Sequence, residues 1–205
     1  MGQRLKNRSI MEDLLRFEDH LDVTLVLEDG EIHANKFVLG ARADYFSSMF
    51  RANNFKEANG YVKFPCRKVI MEQIIRLLYG GNLDCSKMTI GDKVELYNTC
   101  KMMTLHQRYG NIEEDIFYNP VKTLRINNAD SLVAAAKILE ATLMLELDIS
   151  KKIVDYIGVR LNANNVLEKY FVLLPKSVVT ALEKKWSLPL NHYSYRSVKI
   201  RDAYM

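Results

Sequence analysis

Asp22-Val23-Thr24-Leu25-Val26-Leu27-Glu28-Asp29-Gly30-Glu31-Ile32-His33-Ala34-Asn35-Lys36-Phe37-Val38-Leu39 is the stretch that decides how this chain folds. Apolar and β-branched residues run from Val23 to Leu27, as a half-buried strand requires. Glu28-Asp29-Gly30-Glu31 reads as a tight hairpin turn in which Gly30 is free to take positive φ. A second short strand follows. From Phe37 the apolar period becomes helical, and Val38, Leu39, Tyr45, Phe46, Met49 and Phe50 fall three and four apart.

On the N-terminal side, Ser9-Ile10-Met11-Glu12 fits a capping box, with the Ser9 hydroxyl and the Glu12 carboxylate each satisfying a first-turn amide. The helix that it starts carries Ile10, Met11, Leu14 and Leu15 as one apolar stripe. So early in the chain that stripe covers either its own core or the core of a partner chain, and composition alone favours its own. On the C-terminal side, a strand Tyr61-Val62-Lys63-Phe64 ends at Pro65, which has no N–H to give to a ladder. A helix over 69–78 buries Ile70, Ile74, Leu77 and Leu78 and stops at Gly80-Gly81. Another, over about 92–104, carries Val94, Leu96, Tyr97, Cys100 and Met103. Asn119-Pro120 breaks the pattern, and 121–126 is expected as a connection or short strand. Helical patches follow over 131–140 and 149–161, with Asp148 placed to cap the second. A further one over 176–186 has Pro175 in its first turn, where a missing N–H costs nothing.

Composition narrows the function. The chain has 205 residues, 48% hydrophobic and 26% charged, enough apolar material for a globular core in one large domain or two small ones. No run of eighteen apolar residues is present, so no membrane partner is expected. The first eight residues lack the apolar stretch of a secretory signal. Cys66, Cys85 and Cys100 are odd in number and have no CxxC spacing, which points to free thiols in a reducing compartment, cytoplasm or nucleus. His20, His33, His106 and His192 pair with no Cys or Asp at ligand spacing, no glycine-rich phosphate loop follows a strand, and GxSxG and HExxH are missing. No catalytic residues, metal or cofactor are therefore expected, and the chain is not read as an enzyme. Residues 183–205 hold five Lys or Arg against two Asp or Glu, +3 of the chain's +4. Tyr193 and Tyr195 lie in this tail, yet a solvated segment explains it better than a nucleic-acid partner.

Asp22-Val23 and its strand, Ile32-x-Ala34-x-Lys36-x-Val38-Leu39, Tyr45-Phe46-x-x-Met49-Phe50 and Leu77-Leu78-Tyr79-Gly80-Gly81 together resemble the BTB/POZ domain in its usual order. Two positions depart from that pattern: Asn35 stands where the family usually has His, and Ala43 where Ser is common. The resemblance implies an α+β fold over residues 1–118, a small mixed sheet flanked by helices. It also implies a homodimer, in which Ile10, Met11, Leu14 and Leu15 cross the interface and Asp22 and Lys36 form a partly buried ion pair beside it. Phe55-Lys56-Glu57 resembles the apolar–x–Glu element of cullin-binding BTB proteins. That likeness makes Phe55, Glu57, Met49 and Phe50 the candidate surface for cullin-3, with Phe55 as a desolvated aromatic anchor.

Residues 119–205 resemble, more by rhythm than by distinctive residues, a shortened BACK region, an all-α array of helical hairpins. The reading as a whole is a substrate-receptor adaptor of a cullin-3 RING ubiquitin ligase, holding itself, cullin-3 and a protein target. Its alternative is a BTB scaffold for transcriptional or cytoskeletal assemblies without a ligase link. No repeat of blade or solenoid length is present to hold a target.

Overall fold

The computed structural model describes residues 20–51, 60–163 and 170–186. Two compact units divide the chain, Met1–Ile116 and Phe117–Met205. The first opens with β1 (Val23–Leu27) and β2 (Gly30–Ala34), an antiparallel pair closed at Leu27 opposite Gly30. Gly30 takes φ 156° there, outside the usual range of a side-chain-bearing residue. The chain then runs through α1 (Lys36–Arg42) and α2 (Asp44–Arg51) before β3 (Tyr61–Lys63) returns to lie parallel to β1. The sheet is thus mixed, in the order β2-β1-β3.

Alternation along β1 sends Val23, Leu25 and Leu27 inward, and Val38, Leu39 and Phe46 of the helices are buried as well. Phe46 sits between Phe64, 6.2 Å away, and Phe50, 5.9 Å away. Behind this layer α3 (Lys68–Leu78) buries Ile70, Met71, Ile74, Ile75, Leu77 and Leu78. Next come α4 (Ile90–Met102) and the single turn α5 (Leu105–Arg108). Here the helix starts two residues earlier than periodicity suggested. Thr89 and Asp92 form a reciprocal capping box, which sets the start at Ile90. Cys66, Cys85 and Cys100 are all free and buried.

A π-helical turn, Glu114–Tyr118, carries the chain into the second unit. The expected connection or strand after Asn119 is instead a helix, α6 (Asn119–Thr123). Pro120 stands in its first turn, where a proline starts a helix as readily as it ends one. Then α7 (Ala129–Met144), capped reciprocally by Asn128 and Ser131, packs on α8 (Ile149–Ala163) and α9 (Lys176–Trp186). Leu132, Ala135, Ala136 and Leu139 of α7, Ile153 and Ile157 of α8, and Val178 and Leu182 of α9 form their core. Asp148, the expected cap of α8, holds the Lys151 ammonium at 2.7 Å. At Gly158 the α8 backbone is bare, and the Trp186 indole lies directly over it. Among the described residues no helix is long and apolar enough to cross a membrane, and no group of three His, Cys, Asp or Glu could hold a metal ion.

Candidate functional site

The acidic residues that bracket β1 each hold the start of a helix. Asp22 Oδ1 accepts the backbone N–H of Lys36 at 2.6 Å, and Asp29 Oδ1 accepts that of Lys68. Lys36 and Lys68 are the first residues of α1 and α3, so each carboxylate satisfies an orphan amide and sits at the positive end of the helix dipole. This revises the expected Asp22–Lys36 ion pair. Asp22 reaches the Lys36 amide, and no Asp22–Lys36 ion pair forms among the described residues. Asn35 completes the junction. Its side-chain oxygen caps the Val38 N–H at 3.0 Å, its amide donates to the His20 carbonyl, and its backbone N–H donates to the buried Tyr79 hydroxyl at 2.9 Å.

A second junction fixes α4 against α3. The Arg67 guanidinium grips Glu95 through Nε (3.0 Å) and Nη2 (2.5 Å) and reaches Asp92 at 2.5 Å. The Asp92 carboxyl is held low by its hydrogen bonds to Thr89 and then by Arg67. Beneath it Lys93 is buried, its ammonium donating to the Met88 carbonyl, and burial lowers its pKa.

With α1, α3 and α4 held, the C-terminal end of α4 faces α2 across an open groove. One cavity of about 480 Å³ is lined by Asp44, Tyr45, Ser48 and Met49 of α2 and by Met102 and Thr104. Another of about 250 Å³ adjoins it through Asp44 and Thr104 and runs on to Arg42, Gln107 and Arg108. Met102 is 50% exposed in this groove, an unusual position for an unbranched apolar side chain. Thr104, between α4 and α5, takes φ 56° and ψ 21°. A β-branched residue in the left-handed region is a true outlier, and such strain collects at binding and switching sites. The Arg42 Nε donates to the Leu78 carbonyl at 3.1 Å, tying the groove's far end to α3.

Of the residues singled out from sequence, Met49 lines the groove. Phe50 lines neither cavity and stacks on Phe46 instead. Phe37, at the start of the helical apolar period, is 81% exposed next to Lys36. Phe55, Glu57, Ile10, Met11, Leu14 and Leu15 lie outside the described residues. Sequence reasoning missed Asp44, Met102, Thr104 and Arg108. No local signal marks them, because they become neighbours only when α4 docks.

The BTB/POZ domain model matches residues 11–114, just over half of the chain. This chain belongs to the BTB/POZ family. The groove and both junctions therefore lie within a protein–protein interaction domain of the BTB fold. Among solved structures, the chain is similar to the BTB domain of zebrafish PATZ1, with 17% identity and a TM-score of 0.42 over 51% of this chain and 86% of that one. It is also similar to the BTB domain of human gigaxonin, with 19% identity and a TM-score of 0.40 over 56% of this chain and 97% of that one. No curated protein matches the chain significantly.

Proposed function

We propose that this BTB protein is a non-enzymatic, homodimeric adaptor that joins a protein target to a cullin-3 ubiquitin ligase. The observation that carries this reading is the groove between α2 and the end of α4. It is open and strained, and it is apolar at Met49 and Met102. Met49 stands two residues before the end of α2, so the groove lies beside the point where the chain enters 52–59. That segment contains Phe55 and Glu57, the apolar–x–Glu element. A cullin helix seated in the groove would meet the Met49 and Met102 side chains. Methionines suit that role, since their flexible thioethers repack around different apolar partners.

The mechanism is proximity. The first unit holds the ligase, the second, as a shortened BACK-like arm, holds the target, and dimerisation raises the effective concentration of each for the other. In a pull-down with cullin-3, the wild-type chain is expected to retain it and Phe55→Ala/Glu57→Ala to lose it. Equal retention by the double variant, or no retention by either, would sink the proposal. Capture of a peptide by the dimer with no cullin-3 bound would instead favour a scaffold for transcriptional or cytoskeletal assemblies. One feature suits that second reading: residues 117–205 carry 13 Lys or Arg against eight Asp or Glu, a net positive charge that would suit an acidic partner.

A further inference from the structure

The two adjoining cavities share Asp44 and Thr104, so they form one groove with chemically unlike ends. At one end Tyr45, Met49 and Met102 offer apolar surface. At the other stand Arg42, Gln107 and Arg108. Two arginines line that end with one carboxylate, Asp44, which already lies in the first turn of α2 where the helix dipole favours it. Arg108 is exposed and makes no ion pair among the described residues. That end is therefore net positive and has donors to spare.

We infer that the groove selects an amphipathic helix carrying an acidic side chain beside its apolar anchor, the anchor over Met49 and Met102 and the acid against Arg108 and Gln107. This rests on the docking role proposed above and adds the chemistry of the partner. A strand-like partner does not suit the site, because added strands need an open sheet edge, and no residue of the edge strands β2 and β3 lines the groove. A helix satisfies its own backbone and presents side chains one turn apart, as a groove walled by helices demands. Arginine recognises the partner's carboxylate through paired donors, which fixes direction as well as affinity.

The test is a displayed library of amphipathic helices, with one fixed apolar stripe and randomised flanking positions, selected on the full chain and counter-selected on Met102→Asp. Groove-dependent clones are expected to be enriched in Asp or Glu on one side of the stripe. They should bind Arg108→Glu about tenfold more weakly, as loss of a charged hydrogen bond implies. Lys in place of the selected acid should restore binding to that variant. Groove-dependent clones without acidic enrichment, clones indifferent to Arg108→Glu, or no groove-dependent clone at all would overturn the inference. The cullin-3 N-terminal domain is measured against the same variants. Acid-dependent helices with no cullin-3 binding would remove the ligase reading and leave this inference standing. Cullin-3 binding with acid-independent helices would do the reverse.

Discussion

Replacing Gly158 by alanine sets two effects against each other. Gly158 lies within α8, and alanine there gains about 1 kcal/mol of helix propensity. A Cβ at this position, however, would stand 2.2 Å from Trp186 Nε1, 2.5 Å from Cε2 and 2.6 Å from Cδ1. No contact that short is tolerated, so the indole must leave its seat. Removing a buried tryptophan side chain costs about 3–5 kcal/mol, and Trp186 is only half-buried, so roughly half of that is at stake. The steric loss wins, and Gly158→Ala should destabilise by about 0.5–1.5 kcal/mol, a fall in Tm of roughly 1–6 °C. Trp186 is the chain's single tryptophan, so its fluorescence reports the event directly. Emission should shift to the red in Gly158→Ala. In a Trp186→Ala background the clash is gone, and Gly158→Ala should then stabilise by about 1 kcal/mol, a sign reversal that a double-mutant cycle resolves. A higher Tm for Gly158→Ala alone, with emission unchanged, would refute the packing of Trp186 on α8.

Asn35→Ala removes the α1 cap and the bond to His20 and should cost about 1–2 kcal/mol in urea unfolding. No change would show that Asp22 alone secures the helix start. Thr104→Gly releases a left-handed strain of about 1–2 kcal/mol and should raise Tm, while loosening whatever the groove binds. A lower Tm would mean that the Thr104 side chain contributes more than its backbone costs. Burial pushes the thiols of Cys66 and Cys85 up to about 11 and that of Cys100 up to about 12, from an ordinary 9.0. At neutral pH the Cys100 thiolate is then scarcer by roughly a thousandfold, so iodoacetamide should label all three only after unfolding. The folded chain keeps these protons where the unfolded chain releases them, so the thiols' contribution to stability is whole below pH 9.0 and lost as pH rises toward about 12. Lys93, lowered from 10.5, acts in the opposite sense up to that value, so the decline should be steepest above pH 10.5. Rapid labelling of Cys100 in the native chain would contradict its burial.

The fold was legible because its signals are local. The two-residue period of β1, the Glu28–Gly30 turn and the three-and-four spacing from Val38 to Phe50 each act within one element. What escaped was non-local. Asp22 and Asp29 cap helices 14 and 39 residues away, and a sequence shows a carboxylate and a lysine without showing that the amide is the partner. The helix at Asn119–Thr123 was hidden by reading Pro120 as a breaker when its place in the first turn makes it a starter. In the groove, only Met49 could be named in advance. Met102 and Thr104 gain their meaning from an exposed side chain and a left-handed backbone, and neither is encoded in a pattern of residue types.

In the proposed function, two copies of this BTB chain together hold a helical partner at the groove between α2 and α4. Light scattering across a concentration series, with and without the cullin-3 N-terminal domain, tests it most directly. A particle of twice the chain's mass is expected alone, and one carrying two copies of each protein in the mixture, reduced again to the bare dimer by Met102→Asp. A monomer at every concentration, or a dimer whose mass the cullin-3 domain leaves unchanged, would contradict it.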